Sequence, residues 1–139
     1  MIKELVKDEA VLSTPCEPAT AEDASVAADL VDTLQSLDEA VCLAANQIGV
    51  TKAVVVYKDD ADEVHVMYNP KVLMGLGGAK VVENCLTHEE DVRVTRYAKI
   101  KVSFDELVEG DLKPRKRDFT GWTAQMIQHM VDHCKGKLV

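Results

Sequence analysis

An α+β fold is predicted from three features of the sequence: an apolar stripe at helical spacing early in the chain, a middle of β-branched and alternating segments, and a second helical stripe at the end. Helix, several strands, helix is an order that segregates the helices from the strands. At 139 residues the chain has the length of one domain of the usual ~100–200. Residues 1–139 are therefore expected to form a single domain. A chain of this length buries roughly two-thirds of its unfolded surface, so its core needs no staple.

The polar opening through Pro15 and Pro18 reads as an extended arm, because each proline pushes the residue before it away from helical backbone. A first helix is expected from about Thr20, where Thr20-Ala21-Glu22-Asp23 is a capping box with Asp in the Glu place. Val26, Leu30, Val31, Leu34 and Leu37 then form one apolar face for core packing. Ala53 to Lys58 is a β-branched strand, followed by the turn-prone acidic stretch Asp59 to Asp62. A second strand runs from Val64 to Tyr68 and ends at Asn69-Pro70. Gly75-Leu76-Gly77-Gly78 reads as a flexible turn, and Ala79 to Glu83 as another strand. Ile100, Val102 and Phe104 alternate with Lys101, Ser103 and Asp105, the mark of a strand buried on one face. The basic run Lys113-Pro114-Arg115-Lys116-Arg117 is expected to be a solvated turn rather than a nucleic-acid patch. A final helix is expected from about Thr120, capped by that residue, through Trp122, Met126 and Ile127 to Cys134, with Gly136 as the stop.

Composition narrows the function classes. Sixteen basic against 24 acidic residues give a net charge of −8, which argues against a phosphate backbone as partner, since such binding rests on clustered Lys and Arg. The 47% hydrophobic and 29% charged content is that of a globular rather than a disordered chain. No apolar run approaches the ~18–20 residues that span a bilayer, and Met1 to Glu9 alternates charge with hydrophobe instead of forming a signal core. The expectation is a cytoplasmic protein with no nucleic-acid and no membrane partner. Thiols there stay reduced, so Cys16, Cys42, Cys85 and Cys134 are available for metal binding, catalysis or plain packing.

His129 and His133 lie four apart on the last predicted helix, so both project from one face and can chelate one metal ion. Surface or hydrogen-bonded core histidines fit the same spacing, and Asp132 between them reads equally as a partner behind the ligands or an exposed charge. In the metallohydrolase motif H-E-x-x-H the glutamate beside the first histidine acts as general base. Met130 takes that place here, and a thioether sulfur is too weak an acceptor to take a proton from water. Met130 falls beside Ile127 and Cys134 on the helix, which is also what an ordinary core residue would do. Two imidazoles rarely hold a catalytic metal alone, and Cys85 is the candidate third ligand, though by itself an unremarked thiol.

Three blocks, in order, make a resemblance specific. Ala40-Val41-Cys42-Leu43-Ala44-Ala45-Asn46-Gln47-Ile48-Gly49-Val50 resembles G-φ-G-φ-A-A-x-Q followed by I-G-V, where φ is apolar. Glu83-Asn84-Cys85-Leu86-Thr87 resembles E-G-C-φ-S, and Gln128-His129-Met130-Val131-Asp132-His133 resembles Q-H-E-φ-D-H. These are the motifs of the peptide deformylases, metal-dependent hydrolases that remove the formyl group from the starting methionine of new bacterial proteins. The blocks span Ala40 to His133, and Asn69-Pro70 and Arg96 to Val102 between them are also similar to the family.

The resemblance implies antiparallel sheets packed around a C-terminal metal-binding helix. It implies Cys85, His129 and His133 as ligands of a divalent ion, Fe²⁺ in the native form and often Zn²⁺ or Ni²⁺ in preparations, with water in the open fourth position. Gln47 would bond that water and, with the backbone N–H of Leu86, stabilise the oxyanion on the formyl carbonyl. Val41, Cys42 and Leu43 would pair with the extended substrate backbone, and Trp122 and Met126 would line the pocket for the methionine side chain. The partners implied are N-formylmethionyl peptides or nascent chain N-termini.

The departures fall at working positions. The family's glycines are Ala40, Cys42 and Asn84 here, and a Cβ at Cys42 would narrow the groove. Met130 replaces the glutamate, a group whose kind supplies ~10²–10⁴-fold in rate. Glu83, Glu89, Glu90 and Asp91 lie near Cys85 in sequence as possible stand-in bases. Two expectations follow from the substitutions: a strongly impaired deformylase, or an inactive homologue that binds metal or N-terminal peptides. A variant of the second closes the metal site with His88, spaced C-x2-H from Cys85.

Overall fold

Val54 to Tyr57 are all buried, which a strand achieves only when both of its faces are covered. The computed structural model, which describes residues 1–85 and 87–139 and only the backbone of His88 and Glu89, shows what covers them. Val54 and Val56 pack toward helix α2 (Ala24–Ser36) with Leu30, Leu34 and Leu43. Val55 and Tyr57 pack toward helix α3 (Gly121–Cys134) with Ile127, Met130 and Val131. The two-residue period of the strand thus feeds two cores, one on each side of the sheet.

The sheet has five antiparallel strands in chain order: β1 (Cys42–Ala44), β2 (Val54–Lys58), β3 (Val64–Cys85), β4 (His88–Val108) and β5 (Asp111–Thr120). Two helices flanking an antiparallel sheet bear out the α+β expectation. Among the described residues no helix is long and apolar enough to cross a membrane.

Several local expectations are corrected. The opening arm contains a short helix, α1 (Glu9–Leu12), because Asp8 accepts from the Ala10 N–H at 2.9 Å and Leu12 is buried, while the prolines restrict the chain only from Thr14 onward. The second strand does not end at Asn69-Pro70. Asn69 sits at a register shift between Tyr68 and Lys71, with φ +53° and its amide bonded to Ala19 and Asp105, and β3 continues through it.

Nor do the glycines at 75–78 reverse the chain. A Cβ on Gly75 would lie 2.5 Å from the Tyr97 ring, so the residue serves close approach beneath an aromatic side chain within a continuous strand. The basic run forms β5, at the edge of the sheet, where exposed charges and Pro114 suit a strand hydrogen-bonded on one side only.

The ends of the helices agree in part. Thr20 forms the capping box with Asp23 as read, ahead of a 3-10 turn (Ala21–Asp23) that leads into α2. Thr120, the last residue of β5 and paired with Lys99, makes no side-chain cap for α3. Gly136, with φ +77°, follows the last turn of α3.

Candidate metal centre and active site

β3 ends at Cys85 beside α3, and the tight connection to β4 lets Cys85 pair with His88 in the sheet ladder. The helix presents His129 and His133 to that strand end, one turn apart on the buried face. Their Nε2 atoms lie 3.1 Å from each other, and Cys85 Sγ lies 3.5 Å from His133 Nε2. All three donor atoms fall within 4.8 Å of one another.

These spacings fit a metal ion. Ligands at ~2.0–2.1 Å for nitrogen and ~2.3 Å for sulfur, set tetrahedrally, stand roughly 3.4 Å (N to N) and 3.6 Å (N to S) apart. One ligand direction is already fixed, since His129 Nδ1 donates to Glu83 Oε1 at 2.9 Å and so turns Nε2 toward the cluster. The buried donor set and the held imidazole suit a divalent cation of the N/S-binding kind.

Glu83 is itself fixed. Arg96, buried, donates to it from Nη2 at 2.7 Å and from Nε at 3.0 Å to the second oxygen, and Gln125 adds a bond at 2.9 Å. Arg96 Nη1 reaches Asp132 at 2.7 Å. Asp132 is therefore neither a ligand nor a free charge: it anchors the arginine that anchors the carboxylate behind His129. This chain of partners was not read from the sequence. Its one signal is that Glu83 lies two residues before Cys85 in the sequence. Nothing local marks Arg96 as buried.

Gln47 stands in a buried 3-10 turn (Ala45–Ile48) after β1. The Ala44 N–H donates to its Oε1 at 2.9 Å, so its Nε2 is left to donate to Cys85 Sγ at 3.1 Å and Thr87 Oγ1 at 3.0 Å. A cavity of about 480 Å³ opens beside these groups and is lined by Val41, Cys42, Gln47, Cys85, Trp122 and Met126 among others. Of the residues expected to meet an extended peptide, Leu43 sends its side chain into the α2 core instead, leaving only its backbone on edge strand β1. Trp122 is well exposed at the rim, whereas Met126 is almost wholly buried.

Met130 does not line that cavity. It is fully buried among Ile127, Val131 and Ala44, the core position the helix spacing allowed. Of the stand-in carboxylates, Glu83 is consumed by His129, Arg96 and Gln125, and Glu90 and Asp91 are exposed on β4. Leu86, and the side chains of His88 and Glu89, lie outside the described residues.

The electrostatics follow from the contacts. Burial opposes a thiolate at Cys85, but the imidazoles of His129 and His133 outweigh it and bring the group down to about 4. Burial likewise disfavours charge on His129, yet Cys85 and Glu83 raise it to about 9. Without metal, Cys85 and His129 thus form a thiolate–imidazolium pair at neutral pH. Cys42 is the opposite case: burial, then the charges of Cys85 and Glu83, push its thiol up to about 12. Because an imidazole must shed its proton to ligate, divalent metal uptake at pH 7 is expected to release about one proton, and affinity should climb with pH until about 9. Titration calorimetry in buffers of different ionisation heat measures this; uptake with no proton released would remove His129 from the ligand set.

Comparison with known proteins agrees with this geometry. The family model described as polypeptide deformylase matches residues 2–139. The peptide deformylase of Clostridium beijerinckii is 36% identical over 140 residues, covering the whole of both chains. Among solved structures, a peptide deformylase from Legionella pneumophila superposes with a TM-score of 0.83 at 28% identity, over 99% of this chain and 83% of that one. The enzyme from Thermus thermophilus gives 0.84 at 25% identity, with the same coverage. This family of hydrolases uses a metal ion, and the buried Cys–His–His cluster is where this chain has the means to hold one. On the match over nearly its entire length and the full-length relative, the chain belongs to the polypeptide deformylase family.

Proposed function

We propose that this protein is a deformylase-type metallohydrolase acting on the N-formyl group of formyl-methionyl peptides and nascent chain N-termini, with turnover strongly reduced by Met130. The observation that carries the reading is the convergence of Cys85, His129 and His133 beside a partly apolar cavity at an edge strand. Fe²⁺ is the expected ion, and Zn²⁺ or Ni²⁺ would suit the same donors. When bound, it supplies Lewis-acid polarisation of the formyl carbonyl and lowers the pKa of water.

The chain's own residues do the rest. The free edge of β1 at Cys42 and Leu43, with Val41 just before it, aligns the substrate backbone as an added strand. Met126, with Trp122 at the rim, receives the methionine side chain. Gln47, its amide oriented by the Ala44 N–H, donates to the oxygen on which negative charge develops. Leu86 is assigned the second donor by its family position. Proton transfer to the leaving amine is the step for which no described carboxylate is placed.

The burial of Met130 in the α3 core also favours a second reading, an inactive homologue that holds metal or N-terminal peptides. One sample decides between them. Metal analysis of the iron-loaded protein is expected to find about one ion per chain, with formyl-Met-Ala-Ser hydrolysis about 10²–10⁴-fold below that of a glutamate-bearing relative assayed beside it. Turnover equal to the relative's would refute the impairment, and none at all would favour the binding role.

A further inference from the structure

We propose that Cys16 and Cys134 form a modification site for peroxides, a dithiol that closes to a disulfide and fastens the N-terminal arm to the end of α3. The Cys16 N–H donates to the Cys134 carbonyl at 2.8 Å, and the two thiols lie near enough to perturb each other. A backbone bond of that length brings the two residues side by side, and a disulfide spans Cα atoms roughly 4.4–6.8 Å apart.

The surrounding chain is already interlocked. A Cβ on Gly136 would come within 2.5 Å of the Ser13 carbonyl oxygen and 2.9 Å of Pro15 N. The arm and the end of α3 are thus packed backbone against backbone where the two cysteines meet. Cys16 is only half-buried, open to a small oxidant, whereas Cys134 is buried behind it. Cys16, the more accessible of the two, is accordingly the sulfur that reacts first.

The chemistry balances with peroxide as oxidant. The Cys16 thiolate attacks the O–O bond, giving a sulfenic acid and releasing one oxygen as water. The Cys134 sulfur then attacks the Cys16 sulfur, forming the S–S bond and expelling hydroxide, which takes the Cys134 proton as the second water. Two electrons pass from sulfur to peroxide. Since Cys134 directly follows His133, the bridge clamps the helix end that carries one member of the metal cluster.

The test treats the whole protein with a few equivalents of hydrogen peroxide and follows mass, alkylation and melting, none of which depends on activity. The expected result is a monomer lighter by two hydrogens, with Cys16 and Cys134 joined in peptide mapping and a melting temperature several degrees higher. Cys16→Ser and Cys134→Ala should each abolish the mass change and the rise in melting temperature. Continued alkylation of both thiols, a bridge from either one to Cys42 or Cys85, or a link between two chains would each overturn the proposal.

Discussion

Met130→Glu is expected to raise deformylation of a formyl-methionyl peptide by about 10²–10⁴-fold in kcat/KM, equivalent to roughly 2.7–5.5 kcal/mol of transition-state stabilisation. The residue directly follows His129 on α3, so a carboxylate there starts beside a member of the donor cluster. The cost falls on the fold. Met130 is fully buried, and replacing its thioether with a polar group in that core is expected to lower stability by about 1–3 kcal/mol. Against a usual reserve of ~5–15 kcal/mol the variant should still fold. Met130→Gln separates the two effects, since it carries a similar polar burden without a transferable proton, and it should melt early with no gain in rate. If Met130→Glu folds, binds metal and gains nothing, then the side chains at Ala40, Cys42 and Asn84 block the groove as well.

Arg96→Met should cost about 3–5 kcal/mol, because it leaves the buried Glu83 and the partly buried Asp132 without their common cation. Arg96→Lys is expected to recover little of this, since one ammonium cannot reproduce the forked bonds to Glu83 and the separate bond to Asp132. Acid titration supplies the check on mechanism. Burial raises the Glu83 carboxyl, but His129, Arg96 and Gln125 outweigh it and hold the group at about 2. A depressed carboxylate contributes stability that is present above its ordinary value near 4.5 and lost as pH falls through about 2. The gap between wild type and Arg96→Met, measured by urea unfolding of the metal-free proteins, should therefore narrow between pH 4.5 and 2. The same variant is expected to bind metal ~10–100-fold more weakly, because Glu83 no longer holds His129 in place. An unchanged metal affinity would show that the network supports the fold alone.

β2 was readable because a β-branched run has one stable use, and α2 and α3 because their apolar stripes repeat at helical spacing. The glycines at 75–78 misled, since glycine serves a turn and a close approach equally well, and only Tyr97, 19 residues beyond Gly78 in the sequence, distinguishes the two. The basic run misled for a related reason: charge marks exposure, and an edge strand is as exposed as a turn.

By itself the sequence determined the α+β class, the helical pairing of His129 with His133, the absence of a carboxylate at position 130, and, through three ordered motifs, the family. Those features are local or survive as ordered patterns along the chain. Only the tertiary structure decided that Glu83 faces His129, that Arg96 is buried between two acids, that Met130 belongs to the core, and that Cys16 meets Cys134. Each of these is a meeting of side chains from separate elements, set by strand register and helix docking, and no spacing within one segment encodes it.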